Sequence, residues 1–374
     1  MLPLNCVFII QGEGRGHLTQ ALALKSMLTD AGHTVSKVFI GLNERRQVPG
    51  FFLEKIGASV TYFESPNFAV DQNVQGIKIW PTIVQNLKKR RDFKKSLNTL
   101  KEGIKETQPD VVINFYEPLT GVFNFLHKHG VPTVCIGHQY MFHHPVYPFP
   151  PGKWPQKMGA KFFTRLTSFG AIRRLALSFY EAKDKSTISV MPPLLRKELF
   201  EQPMDKEEDF FLIYLLNKGY AKDVIKWHEK HPEVRLHCFW DNREVDEEHH
   251  HDETLTFHQL SDWKFLDKMA HCKGLICTAG FESICEAMYL GKSILAVPVK
   301  GHVEQYWNAL DLMQYGGGIY DADFNIERLF NADPIDPSVT TRFKEWVDKA
   351  PEMYIKEIEK AASSKSVGRA QVVA

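Results

Sequence analysis

The sequence predicts an α/β protein of two domains, each built on a parallel sheet with helices on both faces. Three observations predict it. The chain has 374 residues, long for one compact domain and comfortable for two. Short apolar runs alternate with helical periods along its whole length. A Pro-rich break near the middle is followed by a restart of the same alternation.

In the first half, Asn5–Ile10 reads as a buried strand, Gln11–His17 as a Gly-rich turn and Leu18–Ala31 as a helix ending at Gly32. Thr34–Ile40 is a second strand. A basic amphipathic helix is expected from about Thr82 to Glu106, then a strand at Val111–Phe115, a helix near Thr120–His129 and a strand at Thr133–Gly137. A Pro-rich stretch, Pro145–Pro155, precedes an amphipathic segment from Lys157 to Glu181, and Thr187–Val190 is a last strand. Paired prolines exclude helix and strand alike, so residues 191–203 read as the linker. The expected domains are therefore 1–203, linker included, and 204–374.

The second half begins with a strand at Phe210–Leu216, a helix at Ala221–His231 and strands at Val234–Trp240 and Leu255–Gln259. A helix over Asp262–Cys272 leads into strand Gly274–Cys277, helix Ser283–Leu290 and strand Ser293–Val297. Thr340–Ala362 is a closing helix.

Charge separates the halves. Met1–Pro203 carries 26 Lys and Arg against 15 Asp and Glu, and the remainder 20 against 30, so the basic half is expected to face something anionic. Lys88, Lys89, Arg90, Arg91, Lys94 and Lys95 crowd one helix. Lys157, Lys161, Arg165, Arg173 and Arg174 share a segment with Phe162, Phe163, Leu166, Phe169 and Leu177. That pairing suits a peripheral site on an anionic membrane if the aromatic residues are exposed, and an ordinary solvated helix if they face the core. An acidic second half and the lack of a nucleic-acid motif argue against nucleic acid. No apolar run is long enough to span a bilayer, and Leu4–Ile10 reads as a strand and not a signal peptide. Six cysteines without a C-x-x-C pair suggest buried thiols in a reducing cytoplasm.

The turn containing Gly12, Gly14 and Gly16 leaves a strand and opens a helix, where backbone N–H groups can hold an anion. Its G-x-G-x-G spacing misses the dinucleotide fingerprint by one residue, and no acidic residue follows about 20 positions on, which counts against a dinucleotide oxidoreductase. His17 falls in the first helical turn, where the dipole favours the neutral imidazole that a general base requires.

In the second half, Gly280 and Ser283 begin a helix after a strand, a geometry that holds a diphosphate on N–H groups. Glu286 lies one turn after Ser283 on the same side, where a carboxylate can accept two ribose hydroxyls. The polar loop after the next strand brings His302, Glu304 and Gln305 to the carboxyl edge of the sheet, where such folds bind ligands.

With those motifs in order, the sequence resembles the GT-B glycosyltransferases of family 28. This is the group containing the enzyme that adds N-acetylglucosamine to the peptidoglycan lipid precursor. The resemblance rests on the Gly-rich loop ending in His17, on Gly280 with Glu286, and on Glu304-Gln305-Tyr306-Trp307-Asn308-Ala309. It implies two Rossmann-like domains facing across a cleft, with the C-terminal helix closing back. By that likeness Glu286 binds the ribose of a uridine nucleotide, and Gly280, Phe281 and Ser283 lie by the diphosphate. Glu304 and Gln305 read sugar hydroxyls, and the strand end near Phe257 and His258 holds the base through backbone contacts. Gly14 and Gly16 belong to the same donor site. Thr278 stands where relatives often carry His, and Glu282 where they often carry Asn. Lys218, in a short turn after the first strand of the second half, is a candidate to offset diphosphate charge.

The chemistry implied is inverting transfer without a metal or other cofactor. His17 is the candidate base, and Glu117, after the strand Val111–Phe115, the candidate carboxylate that orients it. Arg15 is a further candidate cation beside the leaving group. Asp321-Ala322-Asp323 reads as a turn, and His249-His250-His251 as a solvated loop. The donor is expected to be a nucleotide sugar, UDP-linked by the resemblance, and the acceptor a glycan or lipid-linked hydroxyl. The location expected is the cytoplasm, at the inner face of the cell membrane if the basic face docks there. A nucleotide-sugar epimerase of the same fold and a non-catalytic nucleotide-sugar binding protein remain as alternatives.

Overall fold

The computed structural model describes residues 2–43, 48–66, 90–127, 129–203, 206–215, 218–242, 245–332 and 335–370. It divides into two units, Met1–Arg196 with Trp346–Ala374, and Lys197–Glu345. This corrects the domain division expected at 203/204: the boundary falls seven residues earlier, and the C-terminal tail belongs to the first unit. Tail contacts explain the assignment. Trp346 Nε1–H donates to Ser178 O at 3.0 Å, Tyr354 O–H donates to Pro192 O at 2.7 Å, and Glu357 pairs with Arg173 at 3.0 Å.

The first unit holds seven parallel strands: β1 (Asn5–Gln11), β2 (Thr34–Leu42), β3 (Ser59–Glu64), β4 (Val111–Phe115), β5 (Thr133–Ile136), β6 (Arg173–Leu177) and β7 (Ile188–Met191). Their order is β3-β2-β1-β4-β5-β6-β7, so the strand order reverses between β1 and β4. Strands β1, β4 and β5 are apolar and buried on both faces, as a sheet covered on both sides requires. The helix expected to begin near Thr82 is described from Arg90 to Thr107, and Lys88 and Lys89 lie outside the described residues.

The second unit also holds seven strands: β8 (Phe211–Leu215), β9 (Leu236–Trp240), β10 (Glu248–His250), β11 (Leu255–Gln259), β12 (Gly274–Cys277), β13 (Ser293–Ala296) and β14 (Ile319–Tyr320). The order is β10-β11-β9-β8-β12-β13-β14, with β10 alone antiparallel and the reversal between β8 and β12. The histidines expected in a solvated loop are corrected in part: Glu248–His250 forms that exposed edge strand.

Other segments differ from expectation. Lys157–Glu181 is not one amphipathic run but a helix, Trp154–Thr167, then Gly170 at φ 73° and strand β6. The closing helix is two helices, Pro337–Asp348 and Ala350–Ala370. All six cysteines are free and buried, and burial pushes the thiols of Cys6 and Cys272 up to about 12. Among the described residues no helix is long and apolar enough to cross a membrane.

Candidate functional site

In each unit the sheet reverses strand order once, and at such a point neighbouring loops leave in opposite directions and open a crevice at the carboxyl edge. In the first unit the flanking loops are Gly12–Gly14 after β1 and Tyr116–Glu117 after β4. Gly12 N–H donates to Gly41 O at 2.8 Å, and a Cβ on Gly12 would lie 2.4 Å from Leu42. The fold itself demands that glycine. Gly14 differs: it caps the helix Arg15–Asp30 in extended conformation, and a Cβ there would meet nothing within 4 Å. Neither its φ nor its surroundings require glycine. Gly16 is the second residue of that helix.

His17 is the third residue of the helix and is partly buried. Its Nδ1 lies 3.2 Å from Gln20 Oε1, an acceptor, a contact that favours the tautomer with the proton on Nδ1. Tyr116 stacks on the imidazole at 5.7 Å between centroids and 29° between planes. Tyr116 sits at φ 60°, a left-handed conformation that costs a non-glycine residue on the order of 1 kcal/mol. Its ring is fixed from the far side, with the hydroxyl 3.1 Å from Thr164 Oγ1 and Phe163 edge-on at 5.5 Å.

Glu117 takes a different task from the one expected. Its carboxyl is fully buried, with Ser65 Oγ at 2.8 and 2.9 Å from its two oxygens and the Leu119 N–H donating to Oε1 at 3.0 Å. Burial pushes its pKa up to about 8, against the lowering pull of the bonds from Leu119 and Ser65. It is thus a neutral acid at pH 7 and cannot stabilise an imidazolium as a carboxylate would. It caps the helix Pro118–Leu126 and packs so closely on Gly41 that a Cβ there would lie 2.2 Å from Oε2. The ends of β2, β3 and β4 are pegged together by this one side chain.

In the second unit the loops after β8, β12 and β13 are bound to one another. Tyr220 Oη accepts from Lys300 N–H at 3.0 Å, joining the first loop to the third. Asn308 Nδ2–H donates to Ala279 O at 3.3 Å, joining the second to the helix Val303–Tyr315. Thr278 is buried at the end of β12, Ala279 holds φ 57°, and Gly280 caps the helix Phe281–Tyr289. The first helical bond there is Ile284 N–H to Gly280 O at 3.4 Å, so the preceding turn aims its N–H groups along the axis, outward. Gly280 has φ −69°, and a Cβ would meet only Ser283 Oγ, at 3.7 Å. Like Gly14, it is a glycine the fold does not need.

Comparison with known proteins gives the family. The family model described as glycosyl transferase family 1 matches residues 4–332. The chain belongs to glycosyl transferase family 1. No curated protein sequence matches it. Solved structures match along almost its whole length. The glycotransferase of kitacinnamycin is 16% identical at a TM-score of 0.64, covering 96% of this chain and 100% of that one. CalG4, the calicheamicin glycosyltransferase, is 15% identical at 0.64, over 97% and 99%. UGT2 of Phytolacca americana, solved with UDP-2fluoro-glucose and pterostilbene, is 13% identical at 0.64, over 96% and 100%. At such identities the likeness shows the fold, which is GT-B.

In this glycosyltransferase Gly280, Phe281, Ser283 and Glu286 fall on one helix start beside the strand reversal. Glu286 is buried, and it bears with Glu282 and Asp311 on the Cys285 thiol, which burial drives far above its usual range. His302 caps the helix Val303–Tyr315, its Nδ1 accepting from Gln305 N–H at 3.3 Å. Gln305 Oε1 accepts from Val299 N–H at 2.9 Å, so half of its amide clamps the loop and only Nε2 remains for a sugar hydroxyl. Glu304 is partly exposed in the first turn. The Lys218 side chain lies outside the described residues.

Phe257 and His258 require correction. Both lie within β11, paired to β9 on one side and β10 on the other, which uses up the backbone groups expected to hold a base. Phe257 belongs to the apolar core, and His258 stacks on Phe239 with His237 Nδ1 at 2.8 Å from its Nε2. Burial first, then Lys264, lowers the His258 pKa to about 4, so it is a neutral core residue. Two strands, β9 and β8, separate β11 from β12. Tyr220, Asp311 and Tyr116 carry no mark of a site in the sequence. Asn308 was legible within the Glu304–Ala309 string, whereas only tertiary structure shows what Tyr220, Asp311 and Tyr116 touch.

Proposed function

We propose that this glycosyltransferase moves a hexose or N-acetylhexosamine from a UDP-linked sugar to a hydroxyl of a glycan or lipid-linked acceptor, with inversion and without a metal. The observation that carries the donor half is the helix start at Gly280, a glycine that neither its dihedrals nor its neighbours explain. An open helix N-terminus is a ready anion site, and a diphosphate fits it. Glu286, one turn on, is the group to accept ribose hydroxyls, and Glu304 with Gln305 Nε2 to read the sugar. UDP-2fluoro-glucose bound to a protein of this fold supports the choice of nucleotide, and the resemblance to family 28 supports a lipid-linked acceptor.

The chemistry follows from charge. His17 Nε2 removes the acceptor proton as that oxygen attacks the anomeric carbon, and the bond to the diphosphate oxygen breaks with its electron pair. Negative charge collects on the leaving group, where helix N–H groups and dipole stabilise it. Gln20 and Tyr116 hold the imidazole in the tautomer and plane this step needs.

A panel of UDP-sugars, each assayed with and without candidate acceptors, tests the reading. Transfer should require an acceptor, and His17→Ala should lower kcat on the order of 100- to 10,000-fold while donor affinity stays unchanged. Sugar turnover without acceptor would instead identify an epimerase. Donor binding without turnover, indifferent to His17→Ala, would identify a binding protein.

A further inference from the structure

The helix Trp154–Thr167 has two different faces. Its inner face carries Thr164 and Phe163, which hold Tyr116 against His17. Its outer face exposes Trp154, Met158 and Phe162, at 68%, 46% and 72%, in a row of four-residue spacing. Just beyond its end, the exposed Phe169 meets the exposed Phe125 edge-on at 5.4 Å. Of the two readings open at the sequence level, aromatic residues facing the core or facing out, Phe163 takes the first and Phe162 the second.

Beside the apolar row runs a row of cations, Lys157, Lys161 and Arg165, again four residues apart. Lys157 and Lys161 are steadied over the Phe149 ring at 4.4 and 5.3 Å. No acidic side chain balances them along the chain: from Pro118 through Tyr180 the sequence has seven Lys or Arg and no Asp or Glu. Lys161, Arg174 and Arg165 help burial to lower the pKa of nearby His143 to about 4, a sign of the local positive field.

We infer that this face seats the glycosyltransferase on an anionic lipid bilayer, with Trp154, Met158 and Phe162 entering the headgroup region and the cation row meeting lipid phosphates. A helix that lies in the interface needs an apolar stripe flanked by Lys or Arg, and both are present on consecutive turns. Tryptophan prefers that depth, and lysine stems lie along apolar surface while their heads stay in water. Two copies meeting symmetrically through this face would set the cation row of one against that of the other. A bilayer supplies both the apolar layer and the counter-charge. The other face of the same helix holds Tyr116 on His17, so a seated helix sets the candidate base close to a lipid-borne acceptor. Donor binding plays no part in the seating, so the two readings fail separately.

Flotation of the full chain with vesicles decides it. Vesicles of phosphatidylglycerol and phosphatidylcholine should carry the protein at low salt, those of phosphatidylcholine alone far less, and high salt should release it. Replacing Lys157, Lys161 and Arg165 together by Gln should weaken partitioning on the order of a hundredfold, at about fivefold per cation. Trp154→Ser with Phe162→Ser should cost about tenfold or more. Both variants alter exposed positions, and an unchanged thermal melt confirms that they fold. No flotation on anionic vesicles at low salt, or flotation that neither variant reduces, overturns the proposal. So does a wild-type dimer that Phe162→Ser converts to monomer, which assigns the face to self-association. An RNA oligonucleotide that displaces the vesicles and loses binding in both variants assigns it to nucleic acid and overturns it equally.

Discussion

A carboxyl group taken out of water keeps its proton unless a cation offsets the cost, and among the described residues burial is the largest influence on Glu117. Its folded pKa of about 8 stands above the ordinary 4.5, so the folded state holds the proton more tightly than the unfolded chain does. That stability is fully present below about pH 4.5 and is lost as pH rises through about 8. Chemical denaturation across this window should show the first unit losing on the order of a few kcal/mol. Glu117→Gln, which keeps the shape and cannot ionise, should flatten the slope; a slope unchanged by Gln removes Glu117 as its source. The residue type and position were legible in the sequence, but its task was not. Proximity to His17 along the fold suggested an orienting carboxylate, whereas Ser65 and Gly41, distant in sequence, together with the local N–H of Leu119, decide otherwise. His17 was readable because its place in the first turn follows from local pattern alone.

Among elements, the helices Pro118–Leu126 and Trp154–Thr167 approach so closely that Gly121 has no room for a side chain: a Cβ would lie 1.8 Å from Leu166 O. That oxygen is backbone and cannot swing away. Gly121→Ala should therefore destabilise the first unit by about 1–3 kcal/mol or more, read as a lower denaturation midpoint at constant m. It should also loosen Tyr116 through Thr164. A neutral effect on stability would mean the helices can part without cost. Strands β4, β11 and β12 were legible to the residue because Val111–Phe115 is a largely apolar run opened by Asp110, Leu255–Gln259 alternates apolar and polar residues, and Gly274–Cys277 is a short apolar run opened by Gly. Strand β6 was not, since Arg173 and Arg174 at its start continue a helical pattern of charge and only Leu175–Leu177 are wholly buried. The helix Val303–Tyr315 was missed for the opposite reason: its polar first turn, Glu304-Gln305, reads as loop until His302 is seen to cap it.

For the whole molecule, the sequence showed two α/β halves but not that the chain returns to the first. Contacts of the tail span more than 160 residues of sequence, as in Trp346 to Ser178 and Tyr354 to Pro192, and no local pattern reports them. Ending the chain at Glu345 should expose the first unit's core while leaving the second unit's own contacts in place. Hydrogen exchange on such a chain should show protection lost in β4, β5 and β7 and kept in β8 and β12. Equal loss in both units would contradict the division.

Every functional statement about the donor returns to one place, the strand end Thr278, the turn at Ala279 and the helix start at Gly280. Titration calorimetry of UDP-sugars into the full chain tests it most directly. A saturable heat for at least one UDP-sugar is expected, with affinity lowered at least tenfold by Glu286→Gln, as the loss of a charged hydrogen-bond partner requires. No heat with any sugar nucleotide, or an affinity that Glu286→Gln leaves untouched, would contradict the account.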